Sequence, residues 1–203
     1  MIKNIIFDLG GVLVKLDRSI CINSFRKIGY DDFGKILNDF VQEDFFLDFE
    51  RGVISDAEFR NIIRGEIGHA VKDSDIDKAI GDFLTEVSPE KLRVLGKLRE
   101  KFRLFLLSNT NPVAMKTVRS LFRKSGGELE EYFDEIFLSY ELKLVKPDLK
   151  IFEEALKRGN MRPEETIFVD DSQINLLSAN ELGIKTLLVT YTSDLEKEIS
   201  RVV

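Results

Sequence analysis

Asn4-Ile5-Ile6-Phe7-Asp8-Leu9-Gly10-Gly11-Val12-Leu13 sets a short apolar run before one carboxylate and two glycines. The run predicts a buried strand with Asp8 at its C-terminal end. In open α/β sheets, ligands gather at the carboxyl ends of strands, and glycines there let backbone approach a ligand closely. Asp8 therefore stands where a nucleophile or a metal ligand belongs. The plainer reading, a strand ending in a solvated acid, is tested by what the rest of the chain adds.

Working outward, further strands are expected over 104–107 (Leu-Phe-Leu-Leu), 135–138, 166–169 and 185–189, each ending in or followed by polar residues. Helices are expected between them: one opened by Ser88-Pro89 with Leu92, Leu95 and Leu98 as its stripe, then 113–124, 149–158, 173–182 and a weaker one over 194–203. Strands alternating with helices imply a parallel sheet with right-handed crossovers. The expected fold is α/β, a Rossmann-like parallel sheet with helices on both faces.

Residues 17–87 differ in character, being helical in pattern and rich in Phe. Cys21, Phe25 and Ile28 share helical spacing, as do Phe33, Ile36, Leu37 and Phe40, and a short helix is expected to carry Phe45, Phe46 and Phe49. Ser55-Asp56-Ala57-Glu58 reads as a capping box before Phe59, Ile62, Ile63 and Ile67. Ser74 is expected to cap a helix that turns Ile76, Ile80, Phe83 and Leu84 inward. The expected organisation is a core from 1–16 and 88–203, with a small helical-bundle cap over 17–87 inserted after the first strand.

The chain has 203 residues, a net charge of −6, 43% hydrophobic and 33% charged residues, which suits a globular protein rather than a disordered one. No basic tract stands out, which argues against nucleic acid as a partner, and no apolar run approaches membrane-spanning length. The single Cys21 excludes an internal disulfide and suits a reducing compartment, so a cytoplasmic location is expected. His69, the lone histidine, is expected at a helix end on the surface, and the Phe residues of 17–87 as packing.

In a parallel sheet the strand ends share one face. They bring together Asp8, Ser108 with Asn109, Lys146 before a helix, and Asp170 with Asp171. Clustered carboxylates repel unless a cation joins them, and hard oxygen ligands favour Mg²⁺. Lysine, serine and backbone N–H groups suit a phosphate. A carboxylate nucleophile, a metal and phosphate donors together point to phosphoryl transfer.

These motifs resemble the haloacid dehalogenase (HAD) superfamily over nearly the full length. Asp8 in FDLGGVL matches its first motif, Ser108 in LLSNT the second, Lys146 in KPD the third and Asp170-Asp171 in VDDS the fourth. The resemblance implies that Asp8 forms an aspartyl-phosphate which water then hydrolyses. It implies that Lys146 neutralises charge, and that Ser108 and the Asn109 amide hold phosphoryl oxygens beside the Gly10-Gly11 backbone. It implies that Asp8, the Gly10 carbonyl, Asp170 and Asp171 hold Mg²⁺.

The family's phosphatases usually carry a second Asp two positions after the nucleophile, as general acid and base; here that position is Gly10. General acid catalysis is typically worth about 10²–10⁴ in rate. The chain resembles a branch of the family that writes Gly there and includes sugar-phosphate phosphatases, so the expected substrate is a small phosphorylated metabolite such as a hexose 1-phosphate. Asp17 and Glu50 are candidate proton donors from the cap, and Arg51 a candidate substrate contact. Lys143 stands where similar chains often have Gly and is expected to face solvent. Two other readings compete: a non-catalytic phosphate- or partner-binding HAD-like protein, and a dehalogenase, against which the adjacent acids Asp170 and Asp171 argue. The expected state is monomer or homodimer.

Overall fold

A computed structural model of the protein describes residues 1–36 and 45–203. Its main sheet has five parallel strands: β1 (Asn4–Phe7), β4 (Arg103–Ser108), β5 (Glu135–Leu138), β6 (Thr166–Asp170) and β7 (Lys185–Leu188), in the order β5-β4-β1-β6-β7. β1 is central, with Phe7 level with Leu106 on one side and Val169 on the other. Residues 5–7 of β1, 104–107 of β4 and 167–169 of β6 are apolar because both faces of the sheet are covered there. Ile5, Phe7, Leu104, Leu106, Ile167 and Val169 point to one layer, with residues of α5 (Pro89–Arg99), α6 (Pro112–Ser125) and α10 (Leu195–Ser200). Ile6, Phe105, Leu107 and Phe168 point to the other, with α8 (Leu149–Arg158) and α9 (Gln173–Glu181). The fold is the expected α/β sheet with helices on both faces.

Between β1 and β4 lie a two-stranded antiparallel ribbon, β2 (Val14–Leu16) with β3 (Leu84–Val87), and the helices it brackets. Among the described residues these are α1 (Arg18–Lys27), α2 (Phe45–Glu50), α3 (Asp56–Ile67) and α4 (Asp73–Gly81). They share a core of Cys21, Phe25, Phe33, Phe46, Phe49, Phe59, Ile63 and Ile76, against which Val113 and Ala114 of α6 also pack. The Phe residues of this core pack on one another: Phe49 and Phe59, for example, stack at 4.2 Å between ring centroids.

Several local expectations change. Phe33 sits in a 3₁₀ turn, Asp31–Lys35, and Leu37 and Phe40 lie outside the described residues. Ser74 lies inside the first turn of α4, and Lys72 holds the cap position without a side-chain bond. Asp73 and Asp75 in that turn favour the helix start through its dipole. Phe83 and Leu84 follow the helix, and Leu84 belongs to β3. The ribbon escaped sequence reading because its strands are three and four residues long and carry little periodicity. The Ser55–Glu58 capping box forms as read, as does the Ser88 cap with Pro89 in the first turn. Among the described residues no helix is long and apolar enough to cross a membrane.

Candidate active site

Asp8 follows β1 directly, and its main-chain N–H still pairs with Val169 at 2.8 Å, so its carboxylate is held at the strand's end. Asp170 ends the neighbouring β6, and Asp171 follows it. Oxygens of Asp8, Asp170 and Asp171 lie within 4.8 Å of one another. Lys146 reaches in from the opposite flank: its Nζ is 2.5 Å from Asp8 Oδ1 and 2.7 Å from Asp170 Oδ2. Asp8, Lys146 and Asp170 are buried, whereas Asp171 is exposed.

Lys146 is placed by Asn109. The Asn109 side chain donates to the Lys146 carbonyl at 2.9 Å and accepts the Lys146 N–H at 2.8 Å. That side chain therefore builds the site. Asp170 is held by the Ser172 N–H at 2.7 Å and by Asn175 Nδ2 at 3.2 and 3.1 Å. Asn175 was not foreseen, although its place five residues after Asp170 puts it in the first turn of α9.

The charges explain one another. Burial, then the charges of Asp170 and Asp171, push the Asp8 carboxyl up to about 7 against the pull of Lys146. Burial and Asp170 push Asp171 up to about 6. Burial works against the Lys146 ammonium, but Asp170 and Asp8 outweigh it and hold its pKa above the ordinary lysine range. Three carboxylates against one ammonium leave two negative charges in excess when all are ionised. An all-oxygen donor set with that excess fits a hard divalent cation.

Gly11 is part of the same fit. Its φ is +76°, and a Cβ there would run into the Asp171 carboxylate. Gly11→Ala should therefore displace Asp171 and weaken activation by Mg²⁺ about tenfold or more, measured as the half-saturating metal concentration. Gly10 has no such constraint, since a Cβ there would meet only Leu16, at 3.3 Å.

A cavity of about 720 Å³ opens over this cluster. Asp8, Gly10, Ser108, Asn109, Lys146 and Asp171 line its floor. Leu16, Cys21, Phe46, Glu50, Arg51 and Phe83 line it from the other side. Glu50 is 7% exposed. Asp17 is elsewhere employed: it caps α1, accepting from Ile20 N–H and Ser19 Oγ, and these bonds hold its carboxyl below its usual range. His69 is exposed just beyond α3, as expected. Lys143 is exposed too, yet its ammonium donates to the Gly52 carbonyl.

Comparison with known proteins adds the following. A family model described as haloacid dehalogenase-like hydrolase matches residues 2–183. A D-ribitol-5-phosphate phosphatase of Bacteroides thetaiotaomicron is 36% identical over 201 residues, 98% of each chain. A HAD family enzyme from the same organism, solved with magnesium and inorganic phosphate, superposes with a TM-score of 0.92 at 41% identity, covering 97% of this chain and 98% of that one. A predicted HAD-like family hydrolase from Porphyromonas gingivalis gives 0.93 at 37% identity, covering 100% and 98%.

Proposed function

The chain belongs to the haloacid dehalogenase-like hydrolases, and from that premise we propose that it is a Mg²⁺-dependent phosphatase of small sugar or polyol phosphates. The carrying observation is the convergence of Asp8, Asp170 and Asp171 around Lys146 at the ends of adjacent strands. The similarity to a D-ribitol-5-phosphate phosphatase over 98% of each chain supports the polyol class.

Asp8 is the nucleophile. Its carboxylate attacks phosphorus, the bond to the organic oxygen breaks, and an aspartyl-phosphate forms. Water then cleaves that acyl phosphate, releasing inorganic phosphate and restoring Asp8. Lys146, bonded to Asp8 Oδ1, fixes the carboxylate's rotation and balances charge on the incoming phosphoryl group. Ser108 Oγ and the Asn109 main-chain N–H hold phosphoryl oxygens. Asp8, Asp170, Asp171 and the Gly10 carbonyl hold Mg²⁺, directly or through water. When bound, the cation screens the three carboxylates and draws charge from the phosphoryl oxygens. The cap, residues 17–87, covers the core of 1–16 and 88–203 and keeps bulk water from the first step.

Gly10 brings no carboxylate, so the departing oxygen must find a proton elsewhere or leave without one. Glu50, buried on the cavity wall, is the candidate donor. A hexose 1-phosphate, with its more acidic anomeric oxygen, needs that help least.

The test is a phosphate-release screen over sugar and polyol phosphates, with Mg²⁺ and after its removal by chelation. Turnover of at least one class that disappears with the metal is expected. Turnover undiminished by chelation, or none across the panel, removes the proposal. Across the substrates accepted, kcat/KM should rise as the leaving group's pKa falls, and Glu50→Gln should steepen that dependence. A flat profile in the wild type would remove the role given to Gly10.

A further inference from the structure

The end of α2 is fastened to the core at two points. Ser139, fully buried, opens α7 (Ser139–Leu142), and its Oγ donates to the Glu50 carbonyl at 2.7 Å. The same Oγ accepts the Thr110 N–H at 2.9 Å and lies 3.1 Å from the Thr110 carbonyl. Lys143, directly after α7, donates to the carbonyl of Gly52. Gly52 has φ +63°, and a Cβ there would strike the Tyr140 carbonyl oxygen, so the segment lies directly on α7.

Residue 51 stands between these two held carbonyls. Arg51 is exposed and is among the residues lining the cavity that contains Asp8. Leu16, Phe46 and Phe83, which line the same side, have apolar side chains that offer no hydrogen bonds, and Glu50 beside Arg51 brings a carboxyl group rather than a cation. Arg18 also lines the cavity, but one of its nitrogens already serves the Gly34 carbonyl at 2.8 Å. Arg51 brings five N–H donors in a planar fork, suited to several oxygens at once.

One hydroxyl thus joins the phosphate-side loop, through Thr110 two residues beyond Ser108, to the cap segment that carries Arg51. Resting on the phosphatase reading above, we propose that Ser139 is a positioning residue that sets residues 50–52 in register with 108–110. Arg51 is then the specificity-determining residue, placed against the hydroxyl-bearing group attached to the phosphate. Because the hold runs through main-chain carbonyls, it sets where Arg51 reaches without constraining its side chain.

The experiment compares kcat/KM for D-ribitol 5-phosphate and for acetyl phosphate, whose leaving group, acetate, is small, departs without a proton and needs no cap contact. Ser139→Ala and Arg51→Ala should each lower the ribitol 5-phosphate value about tenfold or more, the scale of a lost hydrogen bond to a charged group. Acetyl phosphate turnover and inhibition by inorganic phosphate should stay within about threefold, because they draw on the core site. The double variant should lose little more than either single one, since both act through one contact. Ser139→Thr, which keeps the hydroxyl, should recover part of the loss. An equal loss on both substrates in Ser139→Ala, or full additivity, overturns the positioning role. An unchanged ribitol 5-phosphate value in Arg51→Ala overturns the specificity role, and that exposed variant remains informative if Ser139→Ala does not fold. A wild type that hydrolyses neither substrate defeats the phosphatase reading itself.

Discussion

Asp8→Asn lowers phosphomonoester turnover by about 10⁴-fold or more, the scale on which loss of a covalent nucleophile acts. The amide is nearly isosteric but cannot attack phosphorus, and no second carboxylate stands two positions later to substitute for it. The variant should fold. Asp8 is forced up to about 7, chiefly by burial, so ionising it works against the metal-free native state. The sign follows from linkage: a carboxyl raised in the folded state contributes stability below its unfolded value, and loses it as pH rises through the folded value. Between about pH 4 and 7 the metal-free wild type should therefore lose stability relative to Asp8→Asn, which has no proton to release there. Phosphate release read beside thermal unfolding checks both parts. Residual turnover within tenfold of wild type would end the nucleophile assignment.

Lys146→Met has the largest expected effect on the fold. It breaks two ion pairs whose partners are almost fully buried, with Asp170 0% and Asp8 7% exposed. Removing one member of a buried charge group leaves the others uncompensated, which costs about 3–5 kcal/mol. Turnover should also fall by about 10²–10³, as when a preorganised electrostatic donor is removed. Mg²⁺ should raise the unfolding midpoint of this variant more than that of the wild type, because the cation supplies positive charge to the same carboxylates. Urea unfolding with and without Mg²⁺ decides the matter. Equal stabilisation of the two proteins would separate the metal from the Asp8–Lys146–Asp170 cluster.

Much of this was legible before any coordinates. The apolar runs of β1, β4 and β6 are continuous because they are covered on both faces, and that pattern survives in a single sequence. Asp8, Ser108, Asp170 and Asp171 could be picked out because each stands where an apolar strand stops, and Lys146 because it stands with Pro147 just ahead of a helix. Helix starts depended on local chemistry, and Ser55 and Ser88 act as read. Ser74 failed because a serine is also tolerated inside a first turn that two aspartates already favour. That Asp17 caps α1 through Ser19 and Ile20 was not read, because it depends on where α1 begins.

What the sequence determined by itself was the layering of the fold and the roster of charged groups at the sheet's edge. Both follow from short-range rules: which residues are buried in turn, and what stands where a strand stops. The tertiary structure alone decided how those groups are used. Asn109 spends its side chain on Lys146, Asn175 grips Asp170, and Ser139 ties Glu50 to Thr110 across 89 and 29 residues of chain. Hydrogen bonds between residues so far apart leave no periodicity in a sequence, because their partners become neighbours only after the sheet has assembled.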